Sequence, residues 1–153
     1  MKFRKEVQKQ FQKAGWYEGR NVKEKFSSIP RFDEYPEFLK VFLYEYGDLE
    51  IETLTENAKG ILNLKAIPSK LYDIQYCFET PRYFGNIIAY PIADYHLDSA
   101  TLLCDINGGV YMDGDFPCLV SKDFKIGIEK VIMEDYSDTL EWNPETKEWV
   151  EEY

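Results

Sequence analysis

Apolar residues recur every four positions at the start of the chain. Phe3, Val7 and Phe11 are spaced this way, with Ala14 three further on. That period predicts a helix over residues 2–14 with one apolar stripe. Gly15 follows where a left-handed residue ends a helix, and Trp16 stands where a side chain folds back on the last turn, here against Phe11. "EYPEFLKVFLYEYG" predicts a second helix. Pro36 suits the first turn, Glu37 stands beside it and Gly47 ends it, while Phe38, Leu39, Phe42, Leu43 and Tyr46 share one face. The stretch between the two helices reads as a connection with a short turn.

After Gly47 the period changes to two. "LEIETLT" and "ILNLKAI" alternate apolar with polar and pair naturally as a hairpin around "ENAKG". "LYDIQYCFE", "NIIAYPIAD" and "ATLLCDI" are further strands, with Pro91 limiting the middle one to an edge or an end. Asn107-Gly108 in "CDINGGVYMD" predicts the type I′ turn of a two-residue hairpin. Helical spacing returns in "SKDFKIGIEKVIMEDY", where Phe124, Ile128, Val131 and Ile132 align. Ser121 is placed as its cap. Gly127 weakens that helix by roughly 1 kcal/mol relative to alanine.

The tail, "LEWNPETKEWVEEY", fits two readings. Trp142 and Trp149 flank "NPETKE" as facing aromatics of a hairpin would, yet Asn143-Pro144-Glu145 is also a helix start. The hairpin is preferred. No internal repeat, low-complexity tract or linker interrupts the chain. Helices, a run of strands and a closing helix predict one α+β domain over residues 1–153. Its twisted antiparallel sheet is flanked by the N-terminal helices and the C-terminal helix, with 136–153 as an acidic tail.

The totals narrow the function more than the fold. With 44% hydrophobic and 16% aromatic residues, 153 residues suffice for one buried core. No apolar run approaches a membrane span, and the charged N-terminus has no signal core, so the expected location is the cytoplasm. Cys77, Cys104 and Cys118 match no metal or redox spacing and read as small hydrophobes. The net charge of -10 excludes nucleic acid and anionic membranes as natural partners. Charge is also polarised. Residues 1–25 hold eight bases and three acids, and residues 129–153 hold nine acids and two lysines. A basic partner would be steered to the acidic end.

Candidate chemistry is sparse. His96 is the only histidine, so a nucleophile would need it as base and zinc would find no partners for it. Asp105, Asn107, Asp113 and Asp115 offer oxygen ligands for calcium, but the helix–loop–helix setting and closing glutamate are missing. Asp113 and Asp115 as an acid/base pair are better read as turn material. No phosphate-cradling glycine loop is present. The expectation is therefore no enzyme, no metal and no cofactor. The twelve tyrosines, ten phenylalanines and three tryptophans fit either an interface or the lining of the sheet.

The order of these features resembles the SUKH superfamily, in the branch containing many small bacterial immunity proteins. In that branch a GW followed two residues later by GR closes the first helix, as "GWYEGR" does here. "FLYEYGDLEIET" resembles its second helix ending in YG before an acidic strand. "IIAYPIAD" resembles its YPI strand, with Ala93 where the family has glycine. "LLCDINGGVYM" is similar to its strand–turn–strand, and "DFKIGIEKVI" occupies the place of its closing helix. The resemblance spans residues 1–135. It implies a flanked, twisted sheet and a cytoplasmic antidote to a secreted or contact-delivered toxin, often a nuclease, with no shared catalytic residues.

The expected partner is thus a cognate, basic toxin domain. A non-enzymatic scaffold or small-molecule-binding module is the alternative. Charge alone places the contact at Asp113, Asp115, Glu134, Asp135, Asp138, Glu141 and Trp142. Trp16 and Arg20 stand open between two roles. Either Arg20 pairs with a carboxylate and pins the connection, or both residues belong to a recognition surface.

Overall fold

The computed structural model describes residues 2–55, 60–64, 88–96, 99–115 and 117–151. The strand expected at 71–79, the turn at 56–59 and Cys77 lie outside the described residues.

Among the described residues, four helices and eight strands follow the expected order. Helix α1 runs Lys5–Ala14, α2 is a single turn at Lys23–Phe26, and α3 runs Glu37–Tyr46 after a 3-10 turn at Phe32–Glu34. Strands β1 (Glu50–Glu52), β2 (Ile61–Asn63), β3 (Ala89–His96), β4 (Ala100–Asp105), β5 (Val110–Asp113) and β6 (Cys118–Ser121) precede α4 (Phe124–Met133). Strands β7 (Leu140–Asn143) and β8 (Glu148–Val150) complete one sheet in chain order, every neighbouring pair antiparallel. The α+β class is as expected.

One face of the sheet carries the main core. Ile51, Leu62, Tyr95, Leu102, Val110 and Val120 meet Val7 and Phe11 of α1, Leu39 and Leu43 of α3, and Ile128 and Ile132 of α4. Successive residues of a strand point to opposite faces, so burying this set turns the residues between them to the other face. Between the helices the packing is aromatic. Tyr46, only 1% exposed, has Phe11 at 4.6 Å, Phe3 at 5.1 Å, Phe42 at 5.4 Å and Trp16 at 5.8 Å between ring centroids. Most described aromatics are thus core residues, and Tyr17, at 63%, is more exposed than Tyr136, at 36%.

Helix α1 ends as its sequence dictates. Gly15 adopts φ 122°, its N–H donates to the Gln12 carbonyl, and the Trp16 N–H donates to Phe11 at 2.9 Å. The Trp16 ring lies parallel to Tyr46, at an interplanar angle of 6°.

Three local expectations are corrected. Strand β3 is interior, flanked by β2 and β4, although it contains Pro91. The proline is tolerated because β2 reaches only Asp94–His96 and the β4 register shifts between Pro91 and Ala93. The missing donor therefore falls at an irregularity rather than within the ladder. Second, the β4–β5 turn is not type I′. Only Gly108 has positive φ, at 94°, and Gly108 N–H bonds to Asp105 across a three-residue loop. Asp105 makes this loop possible, its carboxylate accepting from the N–H groups of Asn107 and Gly109 and from the Tyr111 hydroxyl. Third, Ser121 belongs to β6, and Asp123 caps α4 by accepting from the Ile126 N–H at 2.9 Å. Asp123 is the last extended residue before the helix, which is the geometry a cap needs.

The tail forms the preferred hairpin. Trp142 pairs with Trp149, their rings 5.1 Å apart and edge to face. Trp149 also reaches Tyr111 at 5.4 Å, although β6 and β7 lie between their strands. The hairpin thus curls over the second face of the sheet, where Ala89, Leu103, Tyr111 and Leu119 form a smaller apolar cluster with Leu140 and Trp149.

Candidate functional site

The charge-selected residues do not form one patch. Asp113 closes β5, and Asp115 is exposed in the following loop. Glu141 is exposed on β7, but it pairs with Cys118, itself opposite Met112. Glu141 therefore projects to the helix side of the sheet, whereas Asp113, next to Met112, projects to the other. Trp142 is half-buried against Trp149.

The residues closing α4 are engaged within the fold. Glu134, in a left-handed conformation at the helix end, accepts from the Tyr95 hydroxyl and, at 3.0 Å, from the Thr53 hydroxyl. Asp135 accepts from the Ser137 N–H and hydroxyl, which hold its carboxyl below the usual aspartate range, with Lys130 adding to the effect. The Lys130 ammonium lies 3.8 Å from Asp135 and 3.5 Å from Asp138. Asp138 remains 85% exposed and leaves an acidic point on the surface.

Arg20 is buried, at 9% exposure, and Nη1 donates to the carbonyls of Glu45 (2.7 Å) and Gly47 (2.8 Å). The pin therefore acts on backbone carbonyls, not on a carboxylate. It satisfies groups that the end of α3 leaves without helical partners, and a cation there complements the helix dipole. Burial lowers the Arg20 pKa, partly offset by Asp48. Trp16 is buried beside it and donates from Nε1 to Glu45 at 3.0 Å. Both residues of the GW…GR stretch thus hold the first connection onto the end of α3.

Asp105 is likewise structural. It is 4% exposed and accepts from the backbone N–H groups of Asn107 and Gly109 and from the Tyr111 hydroxyl, which ties down the β4–β5 loop. Among the described residues no group of three metal-ligating side chains converges. His96 is exposed at the end of β3.

What the register does assemble is a row on the outer face. Glu50 stands opposite Asn63, Asn63 opposite Asp94, Asp94 opposite Thr101, and Thr101 opposite Asp113. Three carboxylates thus cross five strands, separated by an amide and a hydroxyl residue. A second short row sets Glu52, Ile61 and His96 side by side. Between the rows lies an open depression of about 510 Å³, lined by Glu50, Ile61, Asn63, Asp94, Tyr95, His96, Ser99 and Ala100. Sequence reasoning found only Asp113 of this row. The alternation in "LEIET" and "ILNL" places Glu50 and Asn63 opposite the core, but only the register shows that they meet.

No curated protein and no solved structure matches the chain. No helix among the described residues is long and apolar enough to cross a membrane. A family model does match, described as SUKH-3 immunity protein and covering residues 3–134, from the start of α1 to the end of α4. The chain belongs to the SUKH-3 immunity protein family.

Proposed function

We propose that this immunity protein works in the cytoplasm and neutralises a basic toxin domain, a nuclease, by forming a one-to-one complex over its phosphate-binding groove. The observation that carries the reading is the carboxylate row of the outer face in a chain of net charge -10. A nuclease must present positive charge to hold phosphates, and an acidic surface competes for the same groups. Asp113, Asp115 and Asp138 extend the acidic surface toward the C-terminal hairpin, where the half-buried Trp142 offers an apolar contact and Glu141 adds charge from the helix side of the sheet. Glu134, Asp135, Trp16 and Arg20 support it from within. Opposite fields also raise the association rate, which matters for an antidote that must win against the toxin's substrate.

The test is capture of a toxin domain by this chain from its native lysate, followed by co-expression and by binding kinetics on the purified pair. Cells survive only with the antidote present, and the association rate falls steeply as salt rises. Survival with a salt-independent rate would retain the immunity role and remove the electrostatic mechanism. No protection and no complex would remove the reading itself.

A further inference from the structure

We propose that Asn107 is a site of spontaneous deamidation, which the folded chain holds in check through Asp105. Asn107 is the one asparagine of the chain followed by glycine, and it is exposed in the β4–β5 loop. The glycine places no Cβ beside its own nitrogen, which leaves that nitrogen open to approach. In the reaction the Gly108 backbone nitrogen gives up its proton and attacks Asn107 Cγ. The new N–C bond closes a succinimide ring, the bond from Cγ to the side-chain nitrogen breaks, and ammonia leaves with the proton. Solvent water then opens the ring at either carbonyl and leaves aspartate or isoaspartate.

The loop opposes the first of these steps. Gly108 N–H donates to the Asp105 carbonyl at 3.1 Å, so losing the proton forfeits a hydrogen bond and sets an anionic nitrogen against an oxygen. The Asp105 carboxylate adds a like charge. Its Oδ1 accepts from Asn107 N–H at 2.8 Å and Gly109 N–H at 2.9 Å, on either side of the attacking nitrogen. Asp105 is 4% exposed, so solvent screens little of that repulsion. Gly108 is buried too, and a Cβ there would lie 3.6 Å from Phe124 Cβ. Turning its nitrogen onto Asn107 therefore moves packed atoms. Modification proceeds through the opened loop. Once made, it keeps the loop from closing. Isoaspartate adds a methylene to the main chain between two N–H groups that must converge on one oxygen, and either product sets a second carboxylate beside Asp105.

The experiment incubates the unaltered chain at pH 8, folded in buffer and unfolded in guanidinium chloride, and follows residue 107 by mass spectrometry. The unfolded chain should convert at least about tenfold faster, the ratio given by a loop open a tenth of the time or less. Aspartate and isoaspartate should both appear. Asp105→Asn keeps the shape and an acceptor oxygen but removes the charge. It should raise the folded-state rate several-fold and leave the unfolded-state rate unchanged. Equal rates in the two states would overturn the proposal, as would an unfolded chain that stays unmodified at Asn107. A folded Asp105→Asn chain that converts no faster would overturn it too. The comparison of the two states uses the unaltered chain, so it decides the matter even if the variant folds poorly.

Discussion

Gly127 of α4 lies so close to β5 that a Cβ at this position would come within 2.5 Å of Val110 Cγ2 and 2.6 Å of its Cβ. The glycine, which in isolation weakens its helix, is what lets the helix backbone approach the sheet.

Two effects of opposite sign therefore meet in Gly127→Ala. Helix propensity favours alanine by about 1 kcal/mol, and overpacking a filled core costs about 1–3 kcal/mol. Overpacking wins, because the obstructing atoms belong to a branched side chain held on a sheet. Urea denaturation should show a net loss of about 1 kcal/mol or more. Adding Val110→Ala should cost somewhat less than the two single losses together, since it removes the Cγ contacts and leaves only the one with Cβ. A stabilised Gly127→Ala would show that the helix stands further off than described.

Arg20→Ala should unfold the chain more readily, without touching the partner-binding face. It leaves the Glu45 and Gly47 carbonyls buried without their donor, at a cost of about 2–3 kcal/mol. Arg20→Lys should recover only part, since the lysine ammonium ends one bond short of Nη1, the single nitrogen that serves both carbonyls. The denaturation midpoint decides the matter. An unchanged midpoint with lost partner binding would move Arg20 to the recognition surface.

Elements governed by local chemistry were legible in the sequence. The stripe of α1, the Gly15 stop and the Trp142–Trp149 hairpin each depend on residues within a few positions of one another. Pro91 misled because its local prohibition is lifted by a shift in a neighbouring strand's register. Ser121 misled because it and Asp123 are both capping residue types, and only the end of β6 decides between them. Glu134 read as surface charge, yet its partners Thr53 and Tyr95 lie 81 and 39 positions away. The Glu50–Asn63–Asp94 row fails for the same reason. Each residue's face can be read from alternation, but their juxtaposition is a property of the pairing.

The C-terminal hairpin lies beyond residue 134, where the family match ends, yet it covers part of the sheet. Trp149 packs on Tyr111 and on Trp142. Trp149→Ala should therefore destabilise the whole chain by about 1–3 kcal/mol, less than a fully buried tryptophan because the ring is half-exposed. Trp142→Ala should cost less, since among the described rings it meets only Trp149. Thermal unfolding of both variants measures this. A hairpin that melts alone, with the main transition unmoved, would make it an appendage.

Stability should also fall on the alkaline side. Burial pushes the Cys118 thiol up to about 11 from an ordinary 9.0, and the Tyr46 hydroxyl up to about 12 from 10.0. Burial also raises Tyr90, and burial together with the Asp105 carboxylate raises Tyr111. Below pH 9 both folded and unfolded chains keep these protons, so these groups give no pH dependence. As pH rises past 9 for the thiol and past 10 for the phenols, the unfolded chain releases protons that the folded chain still holds. Folding is then progressively disfavoured, up to the folded-state values. The urea midpoint should be lower at pH 10.5 than at pH 8, and Cys118→Ala together with Tyr46→Phe should flatten the difference. An unchanged midpoint between these two conditions would show that water reaches the thiol and the phenols in the folded chain.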